Sequence, residues 1–292
     1  MVDLVTPAFK TAARFAQHAP KAVTMGAANH LAHLAARQSP ERRHLVERNL
    51  RRADPSLEGR DLDRAVRQLF ESYARYWAES FRLPACSLDE IEAGFTTEGF
   101  EHIEAARAAG TGAIMVLPHL GGWEWAAFWL TRVRDIPVTA VVELLDPPEL
   151  FEWFAALRRS FGMNVVPLGP EAGRATIRAL KDNHLLALLC DRDLKGDGQE
   201  VDFFGERTTL PAGPATLALR TGAPILPTAI YFDGDLRRGV VQAPLDTTRQ
   251  GTLREDVARI TQDVAHALED LIRAAPEQWH LLQPNWPSDR PA

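Results

Sequence analysis

The periodicity of hydrophobic positions changes once along the chain, near Pro84. Before it, apolar residues recur at helical spacing. After it, short apolar runs of strand length alternate with amphipathic segments of helix length. Residues 4–17 and 20–37 set Ala, Leu, Val and Phe among basic residues at helical spacing, with Pro20 as the break. A third helix starts at Pro40 and carries ERRHLVERNLRR. Leu62, Val66, Phe70, Tyr73, Trp77 and Phe81 then fall on one stripe of a long amphipathic helix, a pattern that usually belongs to a core.

Beyond Pro84, FTTEGF (95–100) predicts a short strand and residues 100–109 a helix stopped by Gly110. Ala113 to Leu117 is a wholly apolar run of buried-strand length, followed by a helix over 122–133. VTAVVEL (138–144) reads as a strand, and PPELFEWFAALRRSFG (147–162) as a helix with proline at its start and glycine at its end. NVVPLG (164–169) is a strand, 171–182 a helix, and HLLALLC (184–190) a buried strand running into Asp191, Arg192 and Asp193. VDFFG (201–205) predicts a strand, PAGPATLALRTG (211–222) a helix, PILPTAIYF (224–232) and GVVQAPL (239–245) strands, and 252–275 a last amphipathic helix. Alternating strands and helices predict an α/β fold: a central, twisted, mainly parallel sheet covered by helices on both faces, preceded by N-terminal amphipathic helices. The expected division is a helical region over 1–84 and an α/β core over 85–292, with no repeat or low-complexity tract.

Charge changes this picture more than composition does. A chain of 292 residues with 46% hydrophobic content has enough apolar material for a large core. Its net charge of -6 is unevenly spread: residues 1–52 hold nine Lys or Arg against three acids, leaving the remainder at -12. A basic, apolar-striped end on an acidic body points to an anionic surface as partner. Nucleic acid is disfavoured, because aromatic and basic residues do not interleave there. Two cysteines, Cys86 and Cys190, make no disulfide framework, and a reducing compartment is the simpler inference. The first residues have no long apolar core or clear cleavage site, so a signal peptide is not expected, and no run approaches the length of a membrane span.

The candidate chemistry gathers at predicted strand ends, where open α/β sheets bind ligands. His119 follows the Ala113 strand after Pro118; Gly121 and Gly122 open the next helix, and Glu124 stands five residues after the histidine. Five helical residues advance about 500°, so the two side chains converge only if His119 lies in the turn and Glu124 in the first helical turn. Spacing alone is equally met by an ordinary strand-end histidine and a glutamate favoured by the helix dipole. Glu143 closes one predicted strand, and Asp191, Arg192 and Asp193 another; Arg158 lies on the helix after Glu143, and Arg207 follows FFGE. There is no G-x-S-x-G elbow, P-loop, G-x-G-x-x-G, Cys-x-x-Cys or His-Glu-x-x-His, and His30 and His33 lack a neighbouring carboxylate or cysteine, so no metal site is expected. A histidine backed by a carboxylate takes a proton from a hydroxyl. Without a nucleophile in view, direct transfer between two substrates is favoured over a covalent enzyme intermediate.

The His119-x4-Glu124 motif resembles the His-x4-Asp/Glu motif of glycerolipid-type acyltransferases. An ordered series extends the likeness: ERNLRR, PHLGGWE, CDRDLKGDGQEVDFFGERTTLPAGPATLALRTGAPILP and PEQWHLLQPNW. Over about residues 10 to 286 the chain resembles the lauroyl/myristoyl acyltransferases of lipid A synthesis, and within them the actinobacterial phosphatidylinositol mannoside acyltransferases. The resemblance implies a peripheral enzyme on the cytoplasmic face of the cell membrane, with no cofactor, that moves a long-chain, palmitoyl-like group from acyl-CoA to a mannose hydroxyl of a membrane glycolipid. It implies His119 as the base, Asp191 or else Asp193 as its carboxylate partner, and Glu124 as the motif's acid, here Glu in place of the commoner Asp. It further implies that Glu143 and Arg158 form an acid and base pair at the polar-head pocket, with Arg192 and Arg207 as further contacts to substrate.

In physical terms Gly121 and Gly122 are placed to offer backbone N–H groups to an oxyanion or phosphate. Trp123, Trp125, Phe128 and Trp129 make the next helix apolar nearly all round, mostly for burial and in part to wall an acyl groove. Burying a CH₂ contributes about 0.8 kcal/mol, so a 16-carbon tail gains on the order of 10 kcal/mol before entropy costs. The rival readings are a lipid or thioester hydrolase with the same base and a non-catalytic lipid-binding protein on the same fold.

Overall fold

Strand β2 (Ala113–Leu117) is buried at all five positions, and its alternation divides the protein into two layers. Ile114 and Val116 face one apolar cluster, whereas Ala113, Met115 and Leu117 face another. The computed structural model describes residues 5–193 and 195–289.

The N-terminal helices are α1 (Val5–His18), α2 (Lys21–Gln38), α3 (Pro40–Ala53) and α4 (Gly59–Arg82). Leu4, the expected start of the first helix, lies outside the described residues. The α/β body begins with α5 (Leu88–Ala93), β1 (Phe95–Glu98) and α6 (Phe100–Ala108), and reaches β2. It continues through α7 (Trp123–Phe128), whose last turn loosens into a π turn over Trp129–Val133, then β3 (Val138–Val142), α8 (Pro148–Ser160), β4 (Asn164–Pro167), α9 (Ala172–Lys181) and β5 (Leu185–Leu189). The hairpin β6 (Gln199–Phe203) and β7 (Glu206–Leu210) leads to α10 (Gly213–Thr221), β8 (Ile225–Asp233), β9 (Leu236–Val241) and α11 (Leu253–Arg273).

Seven strands form one sheet in the order β1-β9-β8-β2-β5-β3-β4. All its pairings are parallel except β8 with β9. One face is covered by α10 and α11, through Leu217, Ala218, Ile260 and Val264, and by Leu180 of α9. The other packs on α5, α6 and α7, through Ile91, Ile103, Trp125 and Phe128. The mainly parallel, doubly covered sheet is therefore present, and β2 and β5 lie side by side at its centre, in register from Ala113 opposite Leu185.

Several local differences stand beside this agreement, most with a physical reason. The strand at VDFFG pairs with a second strand, ERTTL, in a two-stranded sheet of its own. The turn between them puts Phe204 and Gly205 at φ 55° and 73°, a primed hairpin turn whose first residue is an unusual one for that conformation. Strand β9 starts at Leu236, not Gly239, because Arg237 is buried there against Glu79. It ends at Val241, so residues 242–245 lie outside it, and β3 ends at Val142, one residue before Glu143. Helix α5 is short and polar, and its start is set by the Ser87 hydroxyl accepting from the Glu90 N–H.

Helix α4 carries the expected aromatic stripe into the body: Leu62, Val66 and Phe70 pack with α2 and α3, and Phe81 packs with Ala13, Ala16, Leu150 and Phe154. Leu186 of β5 is fully buried on the opposite face of the central strands. Leu186→Ala is expected to lower the unfolding free energy by about 2–5 kcal/mol, measured by chemical denaturation, because a closed sheet-helix layer cannot collapse onto the lost volume.

Candidate active site

The carboxyl ends of β2 and β5 bring two side chains together from 72 residues apart. Pro118 lacks an N–H and terminates the strand, while the Cys190 N–H bonds Leu117 O at 2.9 Å and keeps the strand ends abreast. His119 N–H donates to Asp191 Oδ2 at 3.0 Å, and the imidazole Nδ1 meets Asp191 Oδ1 at 2.6 Å. A carboxylate only accepts, so Nδ1 carries a proton, and in the neutral imidazole Nε2 is then the basic nitrogen. The Trp279 indole donates to Oδ2 at 2.8 Å. Burial pushes the Asp191 carboxyl up, but the imidazole and these N–H donors outweigh it and hold the group below the usual carboxylate range. The Asp191 side chain is fully enclosed, and that of His119 is 18% exposed.

Asp193 does not share this role. Its carboxylate accepts from the N–H groups of Lys195 (3.1 Å) and Gly198 (2.7 Å) and closes its own loop. Glu124 lies in the first turn of α7, as the convergence argument requires, yet its carboxylate turns elsewhere. It accepts from Arg158 Nε at 3.0 Å and from Nη2, and lies 3.4 Å from the Tyr76 hydroxyl. Burial and the Glu124 charge raise the Tyr76 hydroxyl well above its ordinary value, and it stays protonated.

The expected Glu143–Arg158 pair is corrected accordingly. Arg158 is taken by Glu124, and Glu143 accepts from Arg192 Nη2 at 2.9 Å, with Gln283 on the other nitrogen of that guanidinium. Glu143, Arg158 and Arg192 all border one cavity with His119. Arg207 does not join them: it points out from the β6–β7 hairpin, 78% exposed, and faces Glu200 at 3.4 Å.

The Gly121 and Gly122 N–H groups are not offered to substrate either. They donate to Gln278 O (3.1 Å) and Ile230 O (3.2 Å). Gly121 sits at φ +60°, and a Cβ there would lie 1.8 Å from Ile230 O. Glycine is required by close backbone approach, which lets the turn after His119 lie against β8.

Residues 278–285, to which the sequence assigns no individual role, frame the site. This C-terminal strap lies antiparallel to the His119 turn: Leu120 bridges Trp279, and the His280 N–H donates to His119 O at 2.6 Å. Asn285 Nδ2 holds Asp191 O at 3.2 Å, and its Oδ1 accepts from the Asp193 N–H at 3.3 Å. The His280 ring is buried, with Nε2 at 2.8 Å from the Ser72 hydroxyl of α4. Burial and the neighbouring His119 push its pKa down to about 3. The signal in the sequence was the density of Trp, His and Asn in PEQWHLLQPNW, which exceeds what an exposed terminus needs.

The cavity beside His119 measures about 840 Å³. One wall is aromatic, from Tyr73, Tyr76, Trp77, Trp123 and Phe154; the opposite wall is small and aliphatic, from α9, the start of α10 and Leu188. His119 thus stands where polar groups of the cavity lining meet its apolar part. Fold and site together define an acyltransferase that handles a lipid. The chain belongs to the bacterial lipid A biosynthesis acyltransferase family, whose model matches residues 11–288. It is 38% identical over 280 residues to the phosphatidylinositol mannoside acyltransferase of Mycolicibacterium smegmatis, covering 94% of this chain and 89% of that protein. It is 42% identical over 224 residues to the protein of the same name in two strains of Mycobacterium tuberculosis, covering 75% of this chain and 69% of theirs.

His280 carries a consequence for stability. Its folded pKa lies below the ordinary histidine value, so its contribution is complete above about pH 6.5 and is lost as pH falls toward the folded value near 3. From this one residue, unfolding titrations are expected to lose up to about 1.4 kcal/mol per pH unit between pH 6 and 4. His280→Gln, which keeps a polar partner for Ser72, is expected to flatten that slope.

Proposed function

We propose that this protein transfers a long-chain, palmitoyl-like group from acyl-CoA to a mannose hydroxyl of a phosphatidylinositol mannoside, with His119 as general base. The observation that carries the reading is the 2.6 Å bond between His119 and the buried Asp191 at the edge of the apolar cavity. The names of the relatives supply the acceptor class.

In the reaction, His119 Nε2 takes the proton of the sugar hydroxyl as its oxygen attacks the thioester carbonyl. The C–O bond forms, the C–S bond breaks, and the imidazolium returns the proton to the departing thiolate. Asp191 stabilises the imidazolium while it exists. No covalent enzyme intermediate is invoked. Cys190 borders the cavity, but burial and the adjacent Asp191 push its thiol far up, and it remains an inert S–H. Arg158, held by Glu124, and Arg192, held by Glu143, give the polar end of the cavity fixed hydrogen-bond donors for the acceptor's head group.

The same reading places the enzyme on the cytoplasmic face of the membrane. Among the described residues no helix is long and apolar enough to cross a bilayer. Helices α1 and α2 turn small residues inward, Ala13, Ala16, Ala32 and Ala36, and leave Val5, Phe15, Val23 and Leu31 about half exposed or more. Large apolar residues facing out among Lys10, Arg14 and Lys21 suit an anionic lipid surface.

The deciding assay is purified protein with palmitoyl-CoA and a panel of glycolipids, products read by mass spectrometry. Acylated mannoside supports the reading; free fatty acid formed equally without acceptor would make the protein a hydrolase. His119→Ala is expected to cut transfer by roughly 10² to 10⁴ with the fold retained, and a rate within about threefold of the parent removes His119 as the base. Asp191→Asn is expected to reduce kcat more than acyl-CoA affinity, since an amide cannot stabilise an imidazolium.

Membrane attachment is tested separately. Each Lys or Arg near an anionic surface contributes about 1 kcal/mol, screened beyond roughly 10 Å by salt. The protein is expected to float with anionic liposomes at low salt and to dissociate at high salt. Replacing Lys10, Arg14 and Lys21 by Glu should weaken flotation and slow transfer to vesicle-embedded acceptor, while sparing transfer to a soluble short-chain acceptor. Unchanged flotation, or equal loss on both acceptors, assigns these helices a purely structural role.

A further inference from the structure

Two tryptophans of the C-terminal strap are equally enclosed, Trp279 and Trp286, each 1% exposed and 6.3 Å apart between ring centroids. A buried indole N–H needs an acceptor. Trp286 meets this need in the ordinary way, donating to Phe203 O at 3.1 Å. Trp279 donates at 2.8 Å to the ionised Asp191, the carboxylate that holds His119.

We propose that Trp279 is a positioning residue for acyl transfer: its indole N–H fixes Oδ2 of Asp191 so that Oδ1 faces the His119 imidazole, and keeps the pair ready to accept a proton. This deepens, and rests on, the reading of His119 as the base. The carboxylate can pivot about its own bond, and among the described residues only two N–H groups hold Oδ2, those of His119 and Trp279. The first belongs to the residue being positioned. The second comes from 88 residues away and is anchored by Phe203, Phe204 and Trp286 around its ring.

The indole also acts through its dipole. Its positive end points at the pair and opposes binding of a further proton there. Removing it leaves every charge in place. Those charges and titratable groups are His280 from the strap, held neutral, and Cys190 at the end of β5, held as a thiol. Beyond them lie Arg192, engaged by Glu143, and Asp193, engaged by its own loop. From α4 and α7 come Tyr76 and Glu124, the latter neutralised by Arg158 of α8. Loss of the N–H therefore makes the pair bind its proton more tightly, and the neutral imidazole becomes scarcer at a given pH.

The test compares the parent, Trp279→Phe, Trp286→Phe and His119→Ala, using palmitoyl-CoA and purified phosphatidylinositol mannoside in detergent micelles. Thermal melting, kcat, KM and the pH profile of kcat/KM are measured for each. Both tryptophan variants are expected to melt earlier. Only Trp279→Phe is expected to lose about tenfold or more in kcat with the KM for acyl donor kept within about twofold. Its acid limb, which reports the pair as a unit, should move up by about one pH unit. An acid limb that stays in place or moves down, or equal kcat losses in the two variants, overturns the proposal. Should Trp279→Phe fail to fold, 3-benzothienylalanine at position 279 keeps the bicyclic shape without the N–H and is read by the same criteria. Activity surviving in His119→Ala removes the base itself; its loss there, with Trp279→Phe matching Trp286→Phe, removes only the positioning role.

Discussion

The structure depends on one buried charge. Asp191 is fully enclosed, and an ionised carboxylate in such a place costs several kcal/mol unless its oxygens are met by donors. The donors are His119 N, His119 Nδ1 and Trp279 Nε1. Each requires a separate piece of architecture: β2 and β5 side by side, a tight turn after Pro118, and the strap from Gln278 to Asn285 laid across both. The turn in turn needs Gly121, because no side chain fits between it and Ile230. The same elements that complete the fold therefore also place His119 against Asp191.

The remaining polar groups follow the same logic of local neutralisation. Glu124 is buried and is matched by Arg158 and Tyr76; Glu79 is buried and is matched by Arg237 and Arg75. Only the first of these borders the cavity, through Arg158 and Tyr76, whereas the second clamps β9 to α4. Glu143 and Arg192 form a more open pair at the cavity edge. Positive charge near His119 is thus balanced in place. The rest of the cavity lining is largely apolar.

The N-terminal helices invert the usual arrangement of an amphipathic helix on a body. Alanines face the protein, and Phe15, Val23 and Leu31 face outward. Close packing through small residues brings α1 and α2 near α4, and the larger apolar side chains are left at the surface. Phe9 is the exception, wedged among Trp77, Phe81 and Phe154, and it ties α1 to the same aromatic wall that borders the cavity.

The sequence by itself determined the class of fold, the order of nearly all elements and the histidine at the carboxyl end of the central strand. It could do so because burial on both sheet faces demands unbroken apolar runs such as AIMVL and LLALL, and because a histidine immediately after such a run lands at a carboxyl edge. What failed to show in the sequence were elements held by polar contacts: β7 behind an atypical turn residue, α5 on a serine cap, and the start of β9 hidden by buried Arg237. Most partnerships were decided by tertiary structure. The resemblance points to Asp191 beside His119, and the folded chain puts it there, but Glu124 takes Arg158 in place of Glu143. Gly121 and Gly122 look like free donors in a helix start, and both are consumed by backbone carbonyls from β8 and the strap. Hydrophobic periodicity is a property of neighbours in sequence and survives in one dimension. A hydrogen bond is settled within a few tenths of an ångström between strands, turns and termini that only the folded chain brings together.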